Sequence, residues 1–162
     1  MWSERIYLAG RYGRREELCE YAAELRGMGY IVSCRWLSTD HSIEDDQLTN
    51  GELPASLAKK FALEDLHDLM RSDCIISFTE IPKETVSRGG RHVELGFALA
   101  RDDKMRLIVV GPRENVFHYL DVIEHYNTWE ESRAQLYNEA EFRAAWKDSV
   151  RECLIMGKQK RN

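Results

Sequence analysis

The stretch Ser87-Arg88-Gly89-Gly90-Arg91-His92-Val93-Glu94-Leu95-Gly96-Phe97-Ala98-Leu99-Ala100 decides how this chain is read. It opens on a glycine pair, where the backbone can turn sharply or come close to a ligand. It continues in good helix formers, with Val93, Phe97 and Ala100 recurring at helical spacing. Just upstream, Asp73-Cys74-Ile75-Ile76-Ser77-Phe78-Thr79 has the composition of a short buried strand. Strand, glycine turn and helix in that order place a helix N-terminus at the carboxyl edge of a parallel sheet, where open α/β folds keep their ligands. Glu94 is expected in or near the first turn of that helix and is the candidate for the chemistry. A first-turn acid also has a purely structural use, since it complements the helix dipole by roughly 0.3–1 kcal/mol.

The rest of the chain sets limits on the function. At 162 residues it is long enough for a proper core, and 1–162 reads as a single domain. A net charge of -5 argues against a surface that coats nucleic acid. No apolar run approaches the roughly 18 residues that span a bilayer. The N-terminus carries no signal-peptide pattern, so a cytoplasmic location is expected. Cys34 and Cys74 fall in predicted strands, Cys19 and Cys153 in predicted helices, and no two are close in sequence. That scatter fits core packing in a reducing compartment better than disulfides or zinc. The histidines show no metal-ligand spacing, and neither a metal nor another cofactor is expected.

In chain order, Arg5-Ile6-Tyr7-Leu8-Ala9-Gly10 reads as a central strand ending in glycine, followed by a basic loop through Arg11, Tyr12, Gly13, Arg14 and Arg15. A helix over 16–28 turns Leu18, Ala22 and Leu25 inward and stops at Gly29. Residues 30–37 read as a second strand, which makes the connection a right-handed parallel crossover. The polar segment 38–52 is too long for a routine connection and reads either as a flap over the site, with Trp36 and His41 near its base, or as a solvated insertion. Pro54 suits a first helical position, and the helix it starts carries Ala62, Leu66, Leu69 and Met70 inward, with Asp65 and Asp68 among them. After strand three and the Glu94 helix, Arg106-Leu107-Ile108-Val109-Val110 reads as strand four, closed by Gly111-Pro112. Two capping-box patterns follow, Thr128 with Glu131 and Asn138 with Glu141. A closing helix over 139–156 presents Phe142, Trp146, Val150 and Leu154 as a core or interface stripe. The alternation predicts an α/β fold: a small doubly wound, Rossmann- or flavodoxin-like parallel sheet of four to five strands with helices on both faces.

Four segments then line up with one family: Tyr7-Leu8-Ala9-Gly10, Asp65 ahead of Ser72-Asp73, the run from Gly89 to Gly96 with Glu94, and the loop after strand four. Over most of its length, from Ile6 to Tyr126, the chain resembles the nucleoside 2-deoxyribosyltransferases and their relatives, the nucleoside 5'-monophosphate N-glycosidases. The resemblance implies cleavage of an N-glycosidic bond through a glutamate nucleophile, Glu94. It implies that Asp65 contacts the sugar and helps with proton handling, and that Tyr7 helps hold the glutamate. It makes Ser87 a match for the phosphate-binding serine of the monophosphate hydrolases, although the turn here is about one residue longer and carries Arg88 and Arg91. The implied partners are a small-molecule nucleoside or nucleotide and a free nucleobase, with no nucleic-acid polymer and no membrane. The implied assembly is a homodimer or higher even-numbered homo-oligomer with a shared site, to which Asn115 is a candidate donor.

The candidate substrate-binding residues are Gly10, Arg11 and Tyr12 after strand one, Ser87, Arg88, Gly89, Gly90, Arg91 and His92 at the turn, and Asn115 and Phe117 after strand four. Arg11, Arg14, Arg15, Arg88 and Arg91 read either as a phosphate cluster or as solvated surface. Phe117 and Tyr12 are candidates to stack on a base, and His92 is an auxiliary contact.

Loss of a base from deoxyribose builds positive charge on the sugar, which a carboxylate beneath the anomeric carbon stabilises and then traps covalently. A glutamate titrates near 4.3, so Glu94 is expected to be an ordinary anion at neutral pH. Asp65 as a general acid would need its pKa raised about two units, near 3 kcal/mol, as a second carboxylate nearby can do. A straight helix from Pro54 would carry Asp65 away from that helix's N-terminal end, so a bend, a break or a site against the helix side is expected. Transfer of the sugar to an acceptor base is favoured over hydrolysis of a monophosphate. Two further alternatives are the phosphoribohydrolases, whose Pro-Gly-Gly turn and paired glutamates are missing here, and a nucleotide sensor without turnover.

Overall fold

Every residue of Cys74–Phe78 is buried, which a strand in the middle of a parallel sheet requires because other elements cover both of its faces. The computed structural model describes residues 3–38, 53–81, 89–101, 103 and 105–159, with side chains to 151. Met1–Asn127 form one compact unit and Thr128–Asn162 another. The first unit runs β1 (Arg5–Ala9), α1 (Arg15–Gly27), β2 (Ile31–Val32), α2 (Arg35–Ser38), α3 (Ala55–Met70), β3 (Cys74–Phe78), α4 (Gly90–Leu99), β4 (Arg106–Val110) and β5 (Ile123–Tyr126). Short 3-10 turns follow β1 (Tyr12–Arg14) and precede β5 (Val116–Tyr119).

The sheet is fully parallel, in the order β2-β1-β3-β4-β5. Tyr7 stands opposite Ile75, and Ser77 opposite Val109. Crossovers leave β1 and β3 toward opposite ends of the sheet, so a crevice opens between their carboxyl ends. The loops that begin at Gly10, Thr79 and Gly111 all leave from this edge.

The second strand is far shorter than the sequence predicts. Only Ile31 and Val32 pair with β1, and the chain turns into α2 by Arg35. Past that point side chains take over the ladder. The Leu8 N–H donates to the Cys34 sulfur at 3.0 Å, and the Trp36 indole N–H donates to the Leu8 carbonyl at 3.0 Å. A buried backbone must find such partners, and these let the chain leave the sheet early.

α1 buries Leu18, Ala22 and Leu25 as expected, and Gly29, at φ 88, takes the chain past its end. α3 is continuous from Ala55 to Met70, which among the three expected arrangements leaves a site against the helix side. Pro54 is its N-cap in an extended conformation rather than its first residue. The buried positions of α3 are Asp68 and Leu69, whereas Ala62 and Met70 face solvent, because α3 packs mainly on α2 and α4.

α4 packs across β1, β3 and β4. Gly89 precedes it in the left-handed region, at φ 78, where glycine avoids a steric penalty. Its buried residues are Arg91, Leu95 and Ala98, while Val93, Phe97 and Ala100 are exposed. Both stripes have helical spacing, and hydrophobicity favours the one that ends up outside. The buried stripe carries Arg91, which is paired with Glu114.

The second unit carries one helix, α5 (Trp129–Gln159). The Thr128 hydroxyl accepts the Glu131 N–H at 3.3 Å near its start, as the capping box predicts. Asn138 and Glu141 lie inside this helix rather than at a new start. Phe142, Trp146 and Val150 are exposed, so they are not core within the chain. Cys34 and Cys74 are buried free thiols and Cys19 is half-buried. The expected flap with His41, together with Ser87 and Arg88, lies outside the described residues. No helix among those described is long and apolar enough to cross a membrane.

Gly111 closes β4 at φ 110, and a Cβ there would stand 2.6 Å from the Thr79 hydroxyl and 3.0 Å from its carbonyl oxygen. Gly111→Ala is therefore expected to destabilise the protein by about 1–3 kcal/mol, read as a lower denaturation midpoint at unchanged m-value.

Candidate active site

Tyr7 lies in β1 without solvent exposure. Its side chain reaches α4, where the phenol donates to Glu94 Oε1 at 2.8 Å. Glu94 sits beyond the first turn of α4, which holds no acid, so the helix-dipole account of this residue does not apply. Asp65 on α3 completes the group, near enough for its charge to raise the pKa of both Glu94 and Tyr7.

These three residues set each other's protonation. Burial pushes the Glu94 carboxyl up to about 7; the Tyr7 hydrogen bond pulls it down and Asp65 raises it further. Glu94 is therefore not the ordinary anion expected from its sequence context. Burial and the neighbouring carboxylates hold the Tyr7 phenol well above its usual value, so it stays a proton donor to Glu94.

Other expected site residues are held by internal partners. Arg11 donates through Nε to Glu80 at 3.0 Å. Arg14 grips Glu17 with two bonds of 2.7 Å, donates to the Thr79 carbonyl at 3.2 Å and lies over the Phe78 ring. Arg91 is buried and bound to both carboxylate oxygens of Glu114. Gly10 follows β1 so closely against α1 that a Cβ would meet Leu18 at 2.6 Å. Around Gly89 and Gly90 the space is open. Tyr12 is a tilted neighbour of Trp36, with ring centroids 6.5 Å apart.

A second group forms on the same sheet edge. His92 places Nε2 3.5 Å from Glu114 Oε2. Asn115 accepts the Phe117 N–H at 2.9 Å, with its amide nitrogen 3.5 Å from His92 and 3.3 Å from His118. Phe117 itself is exposed. His92, Glu114 and His118 offer ligand atoms within 4.8 Å of one another. They do not fit a metal ion. The Glu114 N–H donates to His118 Nδ1 at 3.2 Å, which assigns the proton of the neutral ring to Nε2 and leaves no lone pair there. The Glu114 carboxylate already neutralises Arg91.

Sequence reasoning did not single out Glu114, His118 or Asp68. Asp68 is buried, and although burial opposes its ionisation, the Arg35 side chain and backbone N–H hold its pKa low. It thereby ties α2 to α3. Its spacing from Asp65 puts both on one helix face, a signal available in the sequence. For Glu114 the only available signal was its position after Gly111-Pro112 on the ligand edge.

With this geometry in view, three solved structures are similar. One is a 2-deoxyribosyltransferase from the psychrotolerant bacterium Bacillus psychrosaccharolyticus, at TM-score 0.57 and 15% identity over 82% of this chain and 95% of that one. A conserved protein from Enterococcus faecalis V583 matches at TM-score 0.50 and 13% identity, over 88% and 99% of the two chains. The CMP N-glycosidase BcmB of Clostridium botulinum matches at TM-score 0.47 and 22% identity, over 82% and 97%. At such identities the likeness is one of fold. No protein-family model matches the chain, and no curated protein matches its sequence.

Two outcomes follow from the raised Glu94. Tyr7→Phe removes the bond that favours the anion, so the Glu94 titration in a 13C NMR experiment is expected to move upward by about one pH unit. The folded pKa of about 7 exceeds the ordinary value of 4.5. The stability contribution of this group is therefore complete below the unfolded pKa and is lost as pH rises through 7. Glu94→Gln avoids that loss and is expected to be more stable than the parent at pH 8 by about 1–3 kcal/mol, and not at pH 4.

Proposed function

We propose that this protein cleaves the N-glycosidic bond of a deoxynucleoside through a covalent sugar on Glu94 and transfers the 2-deoxyribosyl group to an acceptor nucleobase. The observation that carries the proposal is the Glu94 carboxylate held by the Tyr7 hydroxyl at 2.8 Å, beside Asp65, at the ligand edge of a sheet with the 2-1-3-4-5 order. The fold it shares with a 2-deoxyribosyltransferase supports it.

In the first step a Glu94 oxygen bonds to the anomeric carbon as the carbon–nitrogen bond breaks. The departing base keeps the electron pair and takes up a proton, with Asp65 as the group assigned to handle it. Tyr7 keeps its own proton and orients the nucleophile. In the second step a nitrogen of the acceptor base attacks the same carbon, Glu94 leaves as a carboxylate and the acceptor gives up its proton. Retention follows from the two displacements.

Among the described residues, Arg11, Arg14 and Arg91 are each paired with a glutamate, which supports an uncharged nucleoside over a monophosphate.

Incubation with a deoxynucleoside and a second free base is expected to yield the exchanged nucleoside, and mass spectrometry an added sugar mass on Glu94. Glu94→Gln is expected to abolish both, a loss on the order of 10³-fold or more. Release of sugar phosphate from a nucleoside 5'-monophosphate, with no exchange, would assign the hydrolase instead. Unaltered nucleotide bound by the parent chain would assign a sensor. Because the nucleophile must be ionised, the rate is expected to fall below about pH 7.

A further inference from the structure

We propose that Glu114 is a positioning residue for Glu94, acting through Arg91. Their ion pair sets the first turn of α4 against the sheet edge and so fixes where the Glu94 carboxylate stands. This rests on the role proposed for Glu94 above.

The N-cap of α4 is Gly89, which offers no side-chain hydrogen bond. Arg91, in the first turn, supplies a grip. Its buried guanidinium meets Glu114 at two points, Nη2 on Oε1 and Nε on Oε2 at 3.3 Å. A two-point guanidinium–carboxylate contact fixes direction as well as distance. Arg91 and Glu94 are one helical turn apart on the face that also carries Leu95 and Ala98, so a shift at one displaces the other.

Glu114 is itself anchored twice more. It accepts the Glu80 N–H at 3.2 Å, just past β3, and its own N–H donates to His118, which is 1% exposed. Glu80 in turn holds Arg11 from the loop after β1. The pair thus connects the ends of β1, β3 and β4 to the helix that carries the nucleophile. His92, the other titratable group facing Glu114, lies on α4 beside Arg91. Removing one member of a buried pair leaves the other charged and uncompensated, which loosens this junction rather than any contact with substrate.

The test uses the full chain with Glu114→Gln, which keeps shape and loses charge, and Arg91→Lys, which keeps charge and loses the two-point grip. Both are expected to lower kcat at least ~10-fold with KM within ~3-fold, because a misplacement of about 1 Å is costly only in the transition state. Both are also expected to move the Glu94 titration down by at least about half a pH unit, as water reaches the carboxyl. 13C NMR reads that shift without turnover. A parental kcat and an unmoved titration in the folded variants would overturn the proposal. So would a loss of rate that only tracks the loss of folded protein. If Glu114→Gln does not fold, Arg91→Lys decides by the same two readouts. Base release that persists in Glu94→Gln removes the catalytic role and this proposal together. An inactive Glu94→Gln beside fully active Glu114 and Arg91 variants removes the positioning role alone.

Discussion

One hydrogen bond joins the sheet to the chemistry. The Tyr7 phenol rises from the middle of a buried strand and donates to Glu94 at 2.8 Å. Burial raises the carboxyl, the phenol lowers it and Asp65 raises it again, leaving a group that titrates near neutrality. That balance gives a carboxylate that is available as an anion at physiological pH yet poorly solvated, which suits the nucleophile proposed for it. A fully solvated glutamate would be easier to ionise and a weaker partner for the developing charge.

The surroundings of this bond follow from how the sheet is finished. β2 stops after two residues because Cys34 and Trp36 satisfy the Leu8 backbone. The chain can then turn into α2 and α3, and α3 brings Asp65 alongside α4 rather than out over the sheet. Asp68 locks α2 to α3 from the same helix face. On the opposite side of the site, charges are matched pair by pair: Arg11 with Glu80, Arg14 with Glu17 and Arg91 with Glu114. Through Glu80 and Glu114, Arg11 and Arg91 link the loop after β1 and the start of α4 to the segments that follow β3 and β4.

The strands β1, β3 and β4, the helix α1 and the glycine-led start of α4 were legible because each rests on a local pattern. Continuous apolar runs end in glycine, and Leu18, Ala22 and Leu25 recur at the helical period. Glu94, Tyr7 and Asp65 were legible as residues, through the motifs that surround them. The contact between Tyr7 and Glu94, 87 positions apart, was reached through the family resemblance and not from any local pattern. The second strand was read too long because Ser33-Cys34-Arg35-Trp36-Leu37 has strand-like composition, while the substitution of a thiol and an indole for backbone partners is a tertiary event.

The sequence alone determined the class of fold and its ligand edge and put Glu94 forward as the candidate carboxylate, since periodicity and turn chemistry act over a few residues. Only the tertiary structure decided which face of α4 turns inward, which arginines are spoken for and how acidic Glu94 is. Each of those depends on burial and on charges brought together from distant positions, and neither has a local trace. Arg91 makes the point: beside a glycine pair it reads as a hand for phosphate, and in the structure it is buried against Glu114.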